Sequence, residues 1–150
     1  MAIFGAEQKP VPRANGISLD EAMRVISAAR KRAEEIGVMH NIAVVDEGGN
    51  LTAFAHMDGA WLGSIDIAKN KAFTARAFDM TTEALGALSQ PGEMIYGIHA
   101  SNDLKVIIFG GGIPLMRNGN VVGAIGVSGG TVPQDIEVAQ AGADAFENKT

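Results

Sequence analysis

Apolar residues recur at helical intervals along the first long segment of the chain, at Ala22, Val25, Ile26, Ala29, Ala33 and Ile36, and Gly37 ends the run. Ser18-Leu19-Asp20-Glu21 has capping-box spacing, so the pattern predicts a first helix from Ser18 to Gly37. The period then changes. Asn41 to Asp46 and Leu51 to Met57 are β-rich runs around Glu47-Gly48-Gly49-Asn50, whose glycines supply the positive φ of a tight turn, and they predict an antiparallel hairpin. Ser64 to Phe78 is alanine-rich with Ile65, Ala68, Ala72 and Ala75 on one stripe, a second and central helix. Thr81 to Leu88 makes a short third helix capped by Thr81 or Thr82.

Ser89 to Asp103 carries Pro91, Gly92 and Gly97 with Tyr96 and His99, and reads as a functional loop that covers a pocket. Lys105 to Phe109 is expected as a strand, broken by Gly110-Gly111-Gly112 and resumed from Ile113 to Arg117. Asn118-Gly119 turns it into a last strand, Asn120 to Ser128. Thr131 to Gln134, with Pro133 in the first turn, opens a final helix striped by Ile136, Ala139, Ala143 and Phe146. Hairpins and meanders join antiparallel neighbours, so the expected fold is α+β, with one five-stranded antiparallel sheet covered by helices, profilin-like in outline. Residues 1–16 read as an N-terminal arm, ordered only where it lies on something such as a neighbouring subunit, and residues 17–150 as a single domain.

At 150 residues and 47% hydrophobic, the chain is long enough for one core and short for two. Aromatics supply only 5% while glycines number 19, so small residues must fill that core around closely approaching backbones, a composition that also suits tight subunit contacts. A formal net charge of −5 without basic runs argues against nucleic acid. With no cysteine there is no disulfide, thiolate metal site or thiol nucleophile. No segment reads as a signal peptide or membrane span, and the cytoplasm is the expected compartment.

His56-Met57-Asp58-Gly59-Ala60 leading into Ser64-Ile65-Asp66-Ile67-Ala68 and Lys71-Ala72, then Gly111-Gly112-Ile113-Pro114, then Val122 to Gly129, with Gln134-Asp135 and Ala141-Gly142 in the last helix, together resemble the GlcG/HbpS family, also called DUF336. The resemblance spans nearly the whole chain after the arm. It implies a three-layer α/β/α sandwich that assembles as a homo-oligomer. Its members are diverse: a protein of the glycolate-utilisation locus, an extracellular haem-binding sensor partner, and the C-terminal domain of some corrinoid adenosyltransferases. Haem is the one cofactor it brings in. One departure is visible: His56 stands where the family usually has arginine, and an imidazole replaces a permanent bidentate charge with a titratable, metal-ligating ring.

The candidate chemistry follows from these positions. His56, at a strand end before an Asp-Gly turn, could present its ring at a pocket mouth or be a hydrogen-bonded strand-end histidine. Asp58 reads first as a cap for free amides and second as a base. Lys71 has no acid three or four residues away, unlike Lys69 with Asp66, and so either snorkels to water or holds an anion that Ser64 could share. Gly110, Gly111 and Gly112 offer bare amides for a ligand face, or a bulge. Tyr96 and His99 are candidate haem ligands or proton donors. The three histidines show no metal-site spacing, and Gly126-Val127-Ser128-Gly129-Gly130 matches a nucleophile elbow in spacing alone.

Three functional readings result. The leading one is a multimeric binding protein for haem or a small carboxylated molecule, with Lys71 and Ser64 on the acid, Gly111 and Gly112 in close approach, and His56 or His99 at the metal or polar end. The second is a cofactor-free lyase, isomerase or hydratase of a small oxo- or hydroxy-acid, with His56 and Asp58 moving the proton. The third is a structural multimer without a ligand.

Overall fold

The computed structural model describes residues 16–148, so the expected arm lies outside the described residues apart from Gly16. The elements are α1 (Leu19–Ile36), β1 (Asn41–Asp46), β2 (Leu51–His56), α2 (Gly63–Phe78), α3 (Thr82–Leu88), β3 (Gly112–Arg117), β4 (Asn120–Ser128) and α4 (Val132–Glu147). The capping box of α1 forms as its spacing requires, with the Ser18 hydroxyl accepting from Glu21 N–H and the Glu21 carboxylate accepting from Ser18 N–H. Gly37 closes the helix in the left-handed conformation at φ 70°. Thr131 and Gln134 build the same box on α4.

The sheet has four strands in the order β2-β1-β4-β3, every pair antiparallel. Strand β1 is central and buried along its whole length, and its alternating side chains divide the core in two. Ile42 and Val44 join Ile125, Val127 and Leu115 beneath α1 and α4. Ala43, Val45 and Ala124 face Ala68, Ala72 and Ala75 of α2 on the other side. The result is three layers, with α2 lying very close to the sheet. A Cβ at Gly126 would stand 2.1 Å from the Ala68 carbonyl oxygen, so this strand position has room only for glycine.

The fifth strand, expected at 105–109, does not form. Its backbone is engaged elsewhere: the buried Thr74 hydroxyl of α2 donates to the Lys105 carbonyl and accepts from Ile107 N–H. The Ile108 carbonyl lies where a side chain at Gly86 of α3 would be. The segment therefore crosses the α2–α3 layer, where no strand is available to pair with it. Residues 98–104 fold into two 3-10 turns.

Candidate functional site

The end of β2 opens on a cleft of about 460 Å³ lined by Arg30, Glu34, Met39, Ala55, His56, Met57 and Asp58. The hairpin register sets His56 directly opposite Asn41, the first residue of β1. Asn41 is fully buried, and its amide NH₂ donates to the Trp61 carbonyl at 2.9 Å. A carbonyl only accepts, so this bond fixes which end of the amide is nitrogen and leaves Oδ1 facing His56 Nδ1 at 2.5 Å. Nδ1 must then carry the proton that bridges to Oδ1. In the neutral ring Nε2 is the bare nitrogen, and the residue itself is exposed. Such an imidazole can ligate a metal or take up a proton. Asp58, on the same cleft wall, is exposed and makes no hydrogen bond among the described residues. It does not serve as a cap: α2 begins beyond it at Gly63 with no side-chain cap bond.

Lys71 is fully buried, and its charge is paired across the fold. Its ammonium donates to Asp135 Oδ2 at 2.8 Å and to the Val127 carbonyl at 2.8 Å, and lies 4.9 Å from the centre of the Phe109 ring. Asp135 Oδ1 accepts from Gly130 N–H at 2.9 Å and faces Nε2 of the buried His40 at 3.1 Å. Burial pushes the lysine pKa below its ordinary value, while the Asp135 hydrogen bond and charge pull it back up. Its own helix offers no acid three or four residues away, and the partner comes instead from α4. Lys69, conversely, is not paired with Asp66, which accepts from Asn70 at 3.0 Å.

The glycine bend closes around this pair. A Cβ at Gly111 would stand 2.7 Å from Lys71 Nζ and 2.6 Å from the Val127 carbonyl oxygen. At Gly110 it would meet Ile136 at 2.5 Å, and at Gly112 the Lys71 carbonyl at 2.5 Å. The close approach these three glycines permit is therefore to the protein's own atoms, with Gly112 N–H donating to the buried Thr82 hydroxyl. Ser64 is buried near the start of the same helix. Tyr96 and His99 meet each other edge to face, ring centres 6.4 Å apart, on an exposed turn. Ser128 ends β4 buried and α4 begins only at Val132, so the elbow spacing carries no exposed nucleophile.

Sequence reasoning missed Asn41, His40 and Asp135. Asn41 was recoverable, because a hairpin turning at 47–50 pairs it with His56. Asp135 appeared only as half of a motif pair, and nothing local to α4 points to a lysine 64 positions earlier.

Comparison with known proteins agrees on one family. The model of the HbpS-like haem-degrading proteins matches residues 17–144. A 15.0 kDa protein of the dhaT-dhaS intergenic region of Citrobacter freundii is 42% identical over 87% of this chain and 92% of its own length. The crystal structure of the DUF336 protein ORFY of Klebsiella pneumoniae superposes with a TM-score of 0.89 at 39% identity, covering 97% of this chain and all of that one. The PduOC–haem complex superposes with a TM-score of 0.83 at 36% identity, covering 87% and 94%. With a family model spanning both layers of helices and all four strands, the chain belongs to the HbpS-like family.

Proposed function

We propose that the chain is a haem-binding protein that takes the iron on Nε2 of His56. The observation that carries this reading is the Asn41–His56 hydrogen bond, which leaves the outward nitrogen of a neutral ring bare at the mouth of a cleft. An acceptor on the far nitrogen is how metal-bound histidines are oriented and made more basic. The donor set suits the group: Met39, Ala55 and Met57 offer apolar wall, and Arg30 at the rim, whose Nε donates to Glu34 at 2.8 Å, has further guanidinium N–H groups to offer a propionate. Haem would supply an iron with a coordination position for the imidazole. Support from relatives comes from the PduOC–haem complex, a solved structure of a protein 36% identical to this chain. Lys71, Ser64 and the glycine bend belong, in this reading, to the scaffold behind the site.

The reading includes self-association. Trp61, Leu62 and Met94 are 72%, 83% and 93% exposed, and large apolar side chains so exposed favour burial against another surface.

The test is titration of the purified chain with haemin, followed by the Soret band. His56→Ala should abolish the histidine-ligated spectrum while His99→Ala leaves it unchanged. An unaltered spectrum in His56→Ala would sink the assignment.

A further inference from the structure

We propose that the α2 side of the molecule is an isologous interface with a second copy of this chain, centred on the cleft between α2 and residues 103–105. The proposal rests on the self-association reading above, is independent of haem, and adds a place, a symmetry and a charge pattern. The two helical sides of the molecule differ. The α1–α4 side leaves Leu19, Met23 and Val132 exposed and carries ion pairs from Arg30 to Glu34 and from Arg32 to Glu35 and Glu137, as suits a solvated surface. The α2 side exposes Trp61, Leu62, Leu88, Met94, Leu104 and Phe109. The segment after α3 belongs to this side, because the Thr74 hydroxyl of α2 holds Lys105 C=O and Ile107 N–H, and the Ile108 carbonyl abuts Gly86 of α3. Large exposed apolar side chains gathered on one side mark an interaction site.

The cleft measures about 490 Å³, with Val45, Leu51 and Phe73 in its apolar lining. Leu104 lines it too, yet is 72% exposed and held at φ 62°, a left-handed conformation that a leucine adopts only under constraint. An apolar knob fixed beside an apolar cleft suits a two-fold axis, which seats each copy's knob in the other's cleft. The charges argue for the same occupant. Asp66, Lys69, Asp103 and Lys105 are exposed around the cleft, two of each sign. Asp66 keeps its charge while accepting from the neutral Asn70 amide, and none of the four has an ion-pair partner among the described residues. A partner of one charge sign would be repelled by half of this set. A copy of the same surface turned about a two-fold axis sets its lysines against the first copy's aspartates and its aspartates against the lysines.

The experiment is sedimentation velocity of the full chain, without haem, across a concentration series. The parent should self-associate. Lys69→Asp/Lys105→Asp leaves the cleft only carboxylates, and Asp66→Lys/Asp103→Asn leaves it only ammonium groups. Each should weaken association by about tenfold or more, because like charges then face one another across the axis. Asparagine is chosen at 103 because it tolerates the φ of 54° there. Mixed in equal amounts, the two variants should recover the association that each lacks. Leu104→Gly, which removes the knob at a φ that glycine takes freely, should also weaken association and keeps the test available should a charge variant fold poorly. A monomeric parent would sink the self-association reading and the interface with it. A parent oligomer that is unchanged in either charge variant or in Leu104→Gly, or charge variants that fail to recombine, would overturn the interface alone.

Discussion

Lys71 Nζ and Asp135 Oδ2 lie 2.8 Å apart with both side chains buried, tying the middle of α2 to the first turn of α4. The Val127 carbonyl and Gly111 close on the same ammonium, so residues from four separate sequence motifs meet at one atom. Removing one member leaves the other charge buried without its counter-ion, with Asp135 keeping only Gly130 N–H and His40, and Lys71 only the Val127 carbonyl and the Phe109 ring. Lys71→Ala or Asp135→Ala should each cost about 3–5 kcal/mol. The double variant Lys71→Met/Asp135→Leu should be more stable than either single change, because it buries no orphan charge. Urea unfolding midpoints decide this, and singles that match the parent would show the pair to be dispensable.

Glycines that the fold requires should separate from those it merely tolerates. Gly111 sits at φ 123°, with the Val127 carbonyl where its Cβ would be, so Gly111→Ala should destabilise by about 2 kcal/mol or more. Gly126→Ala, which drives a methyl into the α2 backbone, should be worse. Gly63 opens α2 with nothing within 4 Å of an added methyl and no positive φ, so Gly63→Ala should be neutral or add up to about 1 kcal/mol. Thermal unfolding of the three variants checks the order.

The helices and both hairpins were legible in the sequence because their signals are local. Ser18 with Glu21, Gly37, the Gly48-Gly49 turn, Asn118-Gly119 and Thr131 each act within a few residues. The fifth strand failed because an apolar run from Lys105 to Phe109 fits a strand or a crossing segment equally, and the Thr74 hydroxyl that decides between them lies about thirty residues away in the chain. The site was legible in part. His56 could be picked out as unusual, but its protonated nitrogen is set by Asn41 and through it by Trp61, a chain of contacts that only the folded hairpin creates. Lys71 was singled out for lacking a local partner, and long-range pairing with Asp135 is the reason it can be buried.

The Asn41–His56 bond yields a graded expectation. Asn41→Leu removes the acceptor that holds the ring, and loss of such a supporting partner should weaken haem binding by about 10- to 100-fold without abolishing it. Asn41→Asp retains an acceptor for Nδ1–H while losing the donor to Trp61, so it should bind more tightly than the leucine variant. Haemin titrations of both beside His56→Ala measure this, and an Asn41→Leu affinity equal to the parent's would remove Asn41 from the site.

Glu21 makes stability depend on acid in a predictable window. Burial alone would raise its pKa. The Arg117 side-chain hydrogen bond, the Ser18 N–H and hydroxyl, and the Arg117 charge outweigh that and hold it at about 2, against 4.5 for the unfolded chain. The folded-state value is the lower one, so the contribution is fully present above about pH 4.5 and is lost as pH falls toward about 2. The shift would correspond to at most about 3 kcal/mol. Arg117 is 34% exposed and screened by solvent, which reduces the expected contribution to about 1–2 kcal/mol. Glu21→Gln should therefore be less stable than the parent by that amount at about pH 7, and the gap should close by about pH 2. Urea unfolding of both proteins across this range measures it, and a deficit that stays constant with pH would mean that Glu21 stabilises the helix by capping alone.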